Sequence, residues 1–228
     1  MENLVRYRRE DAVAWIEMDD GKVNVMSPSM LAAIRAALDR AEQERAVVVI
    51  RGREGVFSAG FDLGVLRGGG PEALAMLRGG FELCERLLSF PTPVVMAATG
   101  HAVAMGVFLL LSGDYRVGAA GPYKYRANEV AIGLTMPHPA VEVLRQRLTP
   151  SCFQRALVLA EAFTPVHAVE AGFLDRVVEA SELEAAAREI AASFAALDRN
   201  AHVASKLRAR EQTLRAIREG IEADFGNA

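Results

Sequence analysis

The chain has 228 residues, of which 51% are hydrophobic, 24% charged and 7% aromatic, and its formal net charge is −3. This length and composition predict one large globular α/β unit and argue against a disordered, collagen-like or disulfide-rich chain. The slightly acidic balance offers no broad basic surface, so neither nucleic acid nor a membrane is expected as a partner.

The first third of the chain predicts strands around one helix. Residues 4–18 alternate imperfectly between β-forming and polar residues, which predicts a hairpin of two edge strands. Ser27 as N-cap and Pro28 at the first helical position predict an amphipathic helix, because apolar residues then recur at helical spacing. The apolar run at 46–52 is typical of a parallel strand that is buried on both faces.

The middle of the chain continues this alternation. A glycine-rich joint at 67–71 precedes a predicted amphipathic helix at 72–88. The stretch 94–112 contains no Asp, Glu, Lys or Arg for 19 residues and is long enough to cross a membrane. A β-like run that gives way to a Gly/Ala-rich turn at Thr99 and Gly100 instead indicates a buried strand, a loop and a core helix. Another strand is predicted at 114–117.

The strand and helix order predicts right-handed βαβ units that share one core. From Ser151 onward the pattern is almost entirely helical, with a helix start at Thr164 and Pro165 and a strand-like segment at 173–179. The last two predicted helices, 185–197 and 202–223, carry many Arg and Glu residues. We expect them on the surface or against a partner subunit.

The location of the protein is predicted to be cytoplasmic. The N-terminal residues lack the apolar run of a secretion signal. Cys84 and Cys152 are far apart and form no C-x-x-C pair, which suits free thiols in a reducing compartment and signals no metal site.

Two glycine-containing turns are the main candidates for chemistry. Gly55–Leu63 (GVFSAGFDL) and Gly100–Gly106 (GHAVAMG) each follow a predicted strand and precede a predicted helix. Backbone N–H groups at such joints are unpaired, so two neighbouring joints can direct two donors at one oxygen. Neither turn matches a P-loop, a dinucleotide-binding turn or a nucleophile elbow. Glycine spacing alone favours tight turns that serve only packing.

Five segments together resemble the crotonase (enoyl-CoA hydratase/isomerase) superfamily. The two signature segments are GVFSAGFDL and GHAVAMGVFLLLSGDYRV, and DDGKVNVMSPSMLAAI, NEVAIGL and TPVHAVEAGFLDRVV occur in the order and spacing of the family. The resemblance implies an α/β fold, a spiral of repeated ββα units with a helical C-terminal trimerisation region. It implies a core at 1–180 and a C-terminal helical region at 181–228 for oligomerisation or pocket cover. Acyl-CoA thioesters are the implied substrates, without a separate cofactor, and a homotrimer or dimer of trimers is the implied assembly.

The resemblance also assigns two backbone donors of an oxyanion hole. They fall on the N–H groups of Phe61 and Met105. Many members have three consecutive glycines where this chain has Ala104, Met105 and Gly106, but the N–H donor is available whatever the side chain. Two such donors would stabilise the enolate of a thioester by about 3 kcal/mol each.

The catalytic carboxylates of the family match only in part. Hydratases of the family use two glutamates, and here the first position is Phe108 whereas the second is Glu129. A phenyl ring can neither hold nor deprotonate a water. A single buried carboxylate can instead move a proton between two carbons, so the resemblance is closest to the Δ3,Δ2-enoyl-CoA isomerases. An apolar pocket would raise the pKa of Glu129.

The remaining positions are assigned to substrate binding by resemblance. They are Lys22, Val23, Val25, Ala59, Gly60, Asp62, Leu63, Gly106 and Phe108. Asp62 is also expected to be a helix N-cap and Asp114 to be structural. His101 and His138 are interpreted as packed or solvated. The chain is short for the family, which predicts a more open acyl pocket or one completed by a neighbouring subunit.

Other functions remain open at this point. A hydratase, lyase or thioester hydrolase could recruit an acid from Asp62 or Glu142. The loss of one glutamate and the altered glycine triplet would also suit a non-catalytic acyl-CoA-binding protein. An oligomeric scaffold without a coenzyme A site is a further alternative.

Overall fold

A computed structural model describes residues 4–226, and a six-stranded sheet forms its centre. The strand order is β1-β2-β4-β7-β9-β11, with β1 and β2 antiparallel and the remaining pairs parallel. Its strands are β1 (Val5–Glu10), β2 (Val13–Met18), β4 (Val47–Arg51), β7 (Val94–Ala98), β9 (Tyr115–Ala119) and β11 (Arg176–Val178). Valine, isoleucine and alanine dominate β4 and β7 because both faces of these strands are covered.

Two smaller sheets lie beside the large one. Three parallel strands form the first, in the order β10-β8-β5, with β5 at Gly55–Ser58, β8 at Gly100–Val103 and β10 at Tyr125–Arg126. The second pairs β3 (Val25–Met26) with β6 (Gly60–Phe61) in parallel.

Residues 4–226 contain nine α-helices, which alternate with the strands along the chain. They are α1 (Pro28–Gln43), α2 (Leu63–Gly68), α3 (Gly70–Leu88), α4 (Met105–Leu111), α5 (His138–Arg145), α6 (Pro150–Leu159), α7 (Pro165–Ala171), α8 (Leu183–Ala195) and α9 (Arg199–Phe225). Short 3-10 turns occur at Val130–Ile132 and Ala180–Glu182. Helix α1 begins as predicted, because the Ser27 side chain accepts a hydrogen bond from Met30 N and Pro28 follows it.

The chain winds as a spiral of ββα units. In successive turns one strand joins the large sheet, the next joins the three-stranded sheet, and a helix closes the turn. The larger apolar core contains the inward faces of α1, α3 and α4 together with residues of both sheets. This arrangement confirms the predicted repeated ββα fold with a helical C-terminal region. The division at residue 180 stays a prediction.

Three details of the sequence interpretation are corrected by the structure. The two glycine-containing turns do not lead directly from strand to helix, because they contain the short strands β5 and β8. Strand β2 is not an edge strand, since it lies between β1 and β4. Helix α8 is not a purely surface helix, because Leu183 and three alanines pack against Trp15 on the outer face of the large sheet.

The charge-free stretch 94–112 is interior to the domain. It forms β7, β8 and the seven-residue helix α4, whose residues are all buried. Within residues 4–226 no helix combines the length and apolarity needed to cross a bilayer. Burial in the protein core accounts for the uncharged composition of this stretch.

Helix α9 is fixed to the core by a buried charged cluster. Lys206 Nζ donates to Asp114 Oδ2 at 2.7 Å and to Phe90 O at 3.0 Å, and its residue is only 6% exposed. Arg210 Nη2 lies 2.9 Å from the other carboxylate oxygen of Asp114, and Val94 N donates to Oδ2 at 2.8 Å. Burial lowers the pKa of Lys206 to about 8, because desolvation outweighs the attraction of Asp114. Asp114 is therefore structural, as predicted.

Candidate active site

The predicted catalytic residues meet at one edge of the three-stranded sheet. Phe61, Met105 and Glu129 lie three, two and three residues after the last residues of β5, β8 and β10. These strands are parallel neighbours, so their carboxyl ends share an edge. Parallel α/β folds commonly place ligands at such an edge. The topology therefore brings together three residues that are far apart in sequence.

The segments carrying the two predicted donors are in direct contact. A Cβ atom added to Gly60 would lie 2.8 Å from the Ala104 Cβ and 3.3 Å from Met105 N. Glycine is also required at this position by its φ of +99°. Met105 is the first residue of α4, so its N–H has no acceptor within the helix. Ala104 before it has a φ of +49°, a strained conformation that marks the sharp change of direction from β8 into α4.

Gly106 is needed for a different reason. A side chain there would overlap the backbone carbonyl and the Cβ of Ser58. Helix α4 can therefore begin directly against the end of β5 only because this position has no Cβ. The close packing holds the Met105 backbone beside the chain that leads to Phe61.

The predicted coenzyme A segments are adjacent and hydrogen-bonded to each other. Ala59 N donates to Val23 O at 3.0 Å, and Val25 pairs with Gly60 across the two-stranded sheet. Val23 and Leu63 are 45% and 53% exposed, and Lys22 and Ala59 are also exposed. Lys22, Val23, Ala59 and Leu63 thus form an accessible surface next to the partly buried Phe61.

Two buried polar residues that sequence reasoning missed hold these segments in place. The Asn24 Nδ2 donates to Met18 O at 3.0 Å and to Phe57 O at 3.2 Å. Ser58 Oγ donates to Asn24 O at 2.7 Å and accepts from Gly60 N at 3.2 Å. Asn24 has a φ of +52°, which asparagine tolerates better than most residues. The sequence signal that could have identified Asn24 is an asparagine in a tight turn, between the candidate binding residues Val23 and Val25.

Two aspartates beside the site act on the backbone. Asp62 is the N-cap of α2, as predicted, with its Oδ1 accepting from Gly64 N at 2.7 Å. Asp20 accepts hydrogen bonds from the N–H groups of Lys22, Asn24 and Val25. Burial would raise the pKa of Asp20, but these N–H groups together hold it below its ordinary value. Both carboxylates therefore order the loops that carry candidate binding residues.

Glu129 differs from every other carboxylate around the site. It is 8% exposed, and its Oε2 is buried without a hydrogen-bond partner among residues 4–226. Burial raises the pKa of Glu129 to about 7, although the backbone N–H groups of Glu129 and Asn128 oppose this rise. The neighbouring Asn128 Oδ1 is likewise buried and unpartnered in the described structure. Such a carboxyl can hold or release a proton near neutral pH.

Phe108, which the resemblance matches to one of the two glutamates of the hydratases, is buried in the apolar core. It lies one turn into α4, is 1% exposed and packs against Phe81 with ring centroids 5.9 Å apart. Its surroundings are apolar. The side chain of Phe108 offers neither an acid nor a base.

The two histidines near the site have other contacts. His101 Nδ1 accepts from Lys124 N at 3.1 Å, and its ring meets Tyr123 edge-on. His138 lies at the start of α5 and its Nδ1 is 2.6 Å from Asp224 Oδ1. No group of three His, Cys, Asp or Glu residues that could hold a metal ion occurs within the described range.

Comparison with known proteins identifies the family. The enoyl-CoA hydratase/isomerase family model matches residues 8–227. The chain belongs to the enoyl-CoA hydratase/isomerase family. Members of this family act on acyl-CoA substrates. The resemblance stated from the five sequence segments is thus confirmed, and so is the crotonase fold.

Some relatives within the family are named isomerases and others hydratases. The human mitochondrial enoyl-CoA delta isomerase 1 is 29% identical over 220 residues, which cover 94% of this chain and 73% of that protein. A crystal structure of an enoyl-CoA hydratase, EchA3, from Mycobacterium ulcerans is 52% identical with a TM-score of 0.93, covering 96% of each chain. An enoyl-CoA isomerase structure from Mycobacterium tuberculosis is 50% identical with a TM-score of 0.94, covering 97% of each chain. Similarity therefore assigns the family but does not separate isomerase from hydratase.

Proposed function

We propose that this protein is a Δ3,Δ2-enoyl-CoA isomerase in which Glu129 is the single acid/base. The observation that carries the proposal is the buried Glu129 carboxylate with an unpartnered oxygen, in a chain that has Phe108 at the position matched to the second carboxylate of the hydratases. Glu129 also shares the edge of the small sheet with the backbone of Phe61 and Met105. A hydratase needs two polar groups to manage a water and a proton, whereas proton transfer between two carbons needs one.

The proposed reaction starts with the thioester oxygen accepting hydrogen bonds from the N–H groups of Phe61 and Met105. Glu129 removes a proton from C2, the C2–H electron pair becomes part of a conjugated dienolate, and negative charge develops on the thioester oxygen. The protonated Glu129 then returns that proton to C4, and the double bond moves from C3–C4 to C2–C3. The two donors stabilise the developing oxyanion, and the pKa of about 7 lets Glu129 both take and return the proton.

The exposed surface next to the donors is proposed to hold coenzyme A. Its loops are ordered by Asn24 and Ser58, so the binding surface is preorganised. The residues that would line it are Lys22, Val23, Val25, Ala59, Gly60, Asp62, Leu63 and Gly106. Coenzyme A enters as part of the substrate, and no separate cofactor is proposed.

The proposed assembly is a homotrimer or a dimer of trimers. Large apolar side chains are exposed beside the Glu129 loop, with Ile132 55%, Leu134 51% and Leu159 70% exposed. An association surface would cover such groups. Light scattering during size-exclusion chromatography tests this, and a monomer would contradict it. The cytoplasmic location stays a prediction.

The deciding experiment compares a 3-enoyl-CoA with crotonyl-CoA as substrates. We expect the conjugated 2-enoyl-CoA to form from 3-hexenoyl-CoA, and Glu129→Gln to lower kcat on the order of a thousandfold. Glu142→Gln is the matched control, because Glu142 lies on α5 and pairs with Arg145 at 3.2 Å. Its activity should match that of the unmodified protein.

Three outcomes would overturn the assignment. An isomerase activity that survives Glu129→Gln would remove the proposed base. Formation of 3-hydroxyacyl-CoA from crotonyl-CoA, without isomerisation of the 3-enoyl-CoA, would identify a hydratase. Tight acyl-CoA binding without turnover of either substrate would identify a binding protein.

A further inference from the structure

Two side-chain oxygens of neighbouring residues at the proposed base lack hydrogen-bond partners. Oδ1 of Asn128 and Oε2 of Glu129 are both buried, and neither has a partner among residues 4–226. An amide oxygen and a carboxylate oxygen carry no proton, so both atoms are acceptors while Glu129 is ionised. Neither can then satisfy the other, and two buried acceptors without a donor disfavour this ionisation state.

The backbone places the carboxylate of Glu129 close to Asn128. Burial raises the pKa of Glu129, and the backbone N–H groups of Glu129 and Asn128 oppose this rise by hydrogen bonding to its carboxylate. These two N–H groups lie on either side of the Asn128 Cα, so the carboxylate folds back over Asn128. The segment is held at both ends, because Ala104 N donates to Arg126 O at 2.9 Å and Leu134 N donates to Glu129 O at 2.9 Å.

Charged side chains do not occupy the Glu129 carboxyl. No charged group among residues 4–226 contributes to the shift in its pKa. Helix α4, which begins beside this segment, contains no ionisable residue. The charged side chains of β10, α5 and α6 have partners of their own: Arg126 with Ala160 O, His138 with Asp224, Glu142 with Arg145, and Arg155 with Glu161. The hydrogen bond that Glu129 can donate when it is protonated is therefore not replaced by an ion pair.

We infer that Asn128 is a positioning residue for the proposed base, and that its Oδ1 accepts a hydrogen bond from the protonated Glu129 carboxyl. When Glu129 takes the C2 proton, its O–H becomes a donor, and one hydrogen bond then gives partners to two buried oxygens. The proton stays bonded to Glu129 until it leaves for C4, so Asn128 exchanges no proton. Its role in turnover rests on the proposed function, whereas the hydrogen bond itself does not.

The first measurement follows the ionisation of Glu129 without substrate. Glutamate labelled with 13C at Cδ gives a carboxyl signal for Glu129, which is identified by its loss in Glu129→Gln. Asn128→Leu removes the acceptor at similar volume, so the titration midpoint should fall by about one pH unit, because a bond to the neutral form is lost. Asn128→Asp keeps the shape and adds a like charge, so the midpoint should rise.

The second measurement is the isomerisation of 3-hexenoyl-CoA. The hydrogen bond forms only after Glu129 has taken the proton, so Asn128→Leu should lower kcat about tenfold above pH 8 and leave KM nearly unchanged. The midpoint of kcat/KM should move down together with the carboxyl signal. Asn200→Leu is the matched control, because Asn200 is exposed on α9, and it should change neither midpoint nor kcat.

A second variant covers the case in which Asn128→Leu does not fold. Asn128→Ala also removes the acceptor and introduces no new bulk. Its midpoint should fall in the same direction. A purely structural role for Asn128 would lower kcat or stability without moving either midpoint, and that result would overturn the inference.

The remaining outcomes separate this inference from the proposed function. Midpoints that are unchanged in both the Leu and Asp variants would show that the two side chains do not interact. A midpoint that rises in Asn128→Leu would mean that the Asn128 amide nitrogen donates to the ionised carboxylate. Either result would overturn the inference and leave the isomerase proposal intact. Midpoints that shift as expected in a protein that does not isomerise 3-hexenoyl-CoA would overturn the isomerase proposal and retain the hydrogen bond.

Discussion

Two buried ionisable side chains of this protein, Glu129 and Lys206, have opposite surroundings. Lys206 is 6% exposed and has the carboxylate of Asp114 and two backbone carbonyls within 3.4 Å. Glu129 is 8% exposed and its Oε2 has no partner within residues 4–226. Burial shifts the pKa of both groups towards neutrality, to about 8 for Lys206 and about 7 for Glu129.

The difference indicates what each group does. A buried charge with good partners holds a helix or strand in place. Lys206 holds α9 against the segments that lead into β7 and β9. A buried carboxyl with an unpartnered oxygen costs stability, and such a cost is typical of groups kept for chemistry. Burial or a shifted pKa alone does not separate the two cases. The set of hydrogen-bond partners does.

Among the variants that test this comparison, Asp114→Ala should have the largest effect on the free energy of unfolding. The change leaves Lys206 and Arg210 without their carboxylate in a buried position and removes the acceptor for Val94 N. We expect the free energy of unfolding to fall by about 4 kcal/mol, measured by urea denaturation. Glu211→Gln, at an exposed pair with Arg215, is the control and should change little. A loss below about 1 kcal/mol for Asp114→Ala would show that the cluster is not structural.

Glu129→Gln should instead increase the free energy of unfolding, because it removes a buried charge whose Oε2 has no partner among residues 4–226. The pKa rises from an ordinary 4.5 to about 7, so the folded state holds the proton more tightly than the unfolded state. This favourable contribution is complete below about pH 4.5 and is lost as the pH rises to about 7. At about pH 8 the variant should be more stable than the unmodified protein by about 3 kcal/mol, with little difference near pH 4. Equal stability at both pH values would mean that Glu129 is well partnered in solution.

The pH dependence of isomerisation should follow the ionisation of Glu129. Only ionised Glu129 can take the C2 proton, so kcat/KM should rise with pH and level off above about 7. Below that value it should fall about tenfold per pH unit. Initial rates with 3-hexenoyl-CoA across this range measure the profile. A midpoint near the ordinary value of 4.5 would contradict the burial of the free carboxyl.

Lys206→Met should have the smallest effect on the free energy of unfolding. Methionine fills a similar volume, and Asp114 keeps Arg210 at 2.9 Å and Val94 N at 2.8 Å. We expect a loss of only about 1 kcal/mol in the urea measurement, because no charge is left unpaired. A loss as large as that of Asp114→Ala would place the stabilisation in the lysine rather than in the shared carboxylate.

Local patterns predicted much of the secondary structure. Ser27 and Pro28 marked the start of α1, and Asp62 was identified as a helix cap, because capping depends on residues within one turn. The short strands β5 and β8 were missed as strands. Their hydrogen bonds go to each other, across about 45 residues of chain, so no local pattern distinguishes them from glycine-rich turns.

The candidate site was predicted only in part, and for a similar reason. Glu129, Phe61 and Met105 were identified by resemblance to a family. The absence of partners for Glu129 Oε2 could not be inferred, since it depends on every neighbour that packs around the loop. Asn24 and Ser58 were overlooked because their contacts join three separate segments.

The sequence by itself determined the positions where the chain can turn closely, the amphipathic helices and the family to which the chain belongs. These properties depend on single residues or on their spacing. Only the tertiary structure decided that Oε2 of Glu129 is buried without a partner among residues 4–226, while Nζ of Lys206 is buried with three acceptors. Burial and hydrogen-bond satisfaction are set by segments that are distant in sequence, so they exist only once the chain has folded.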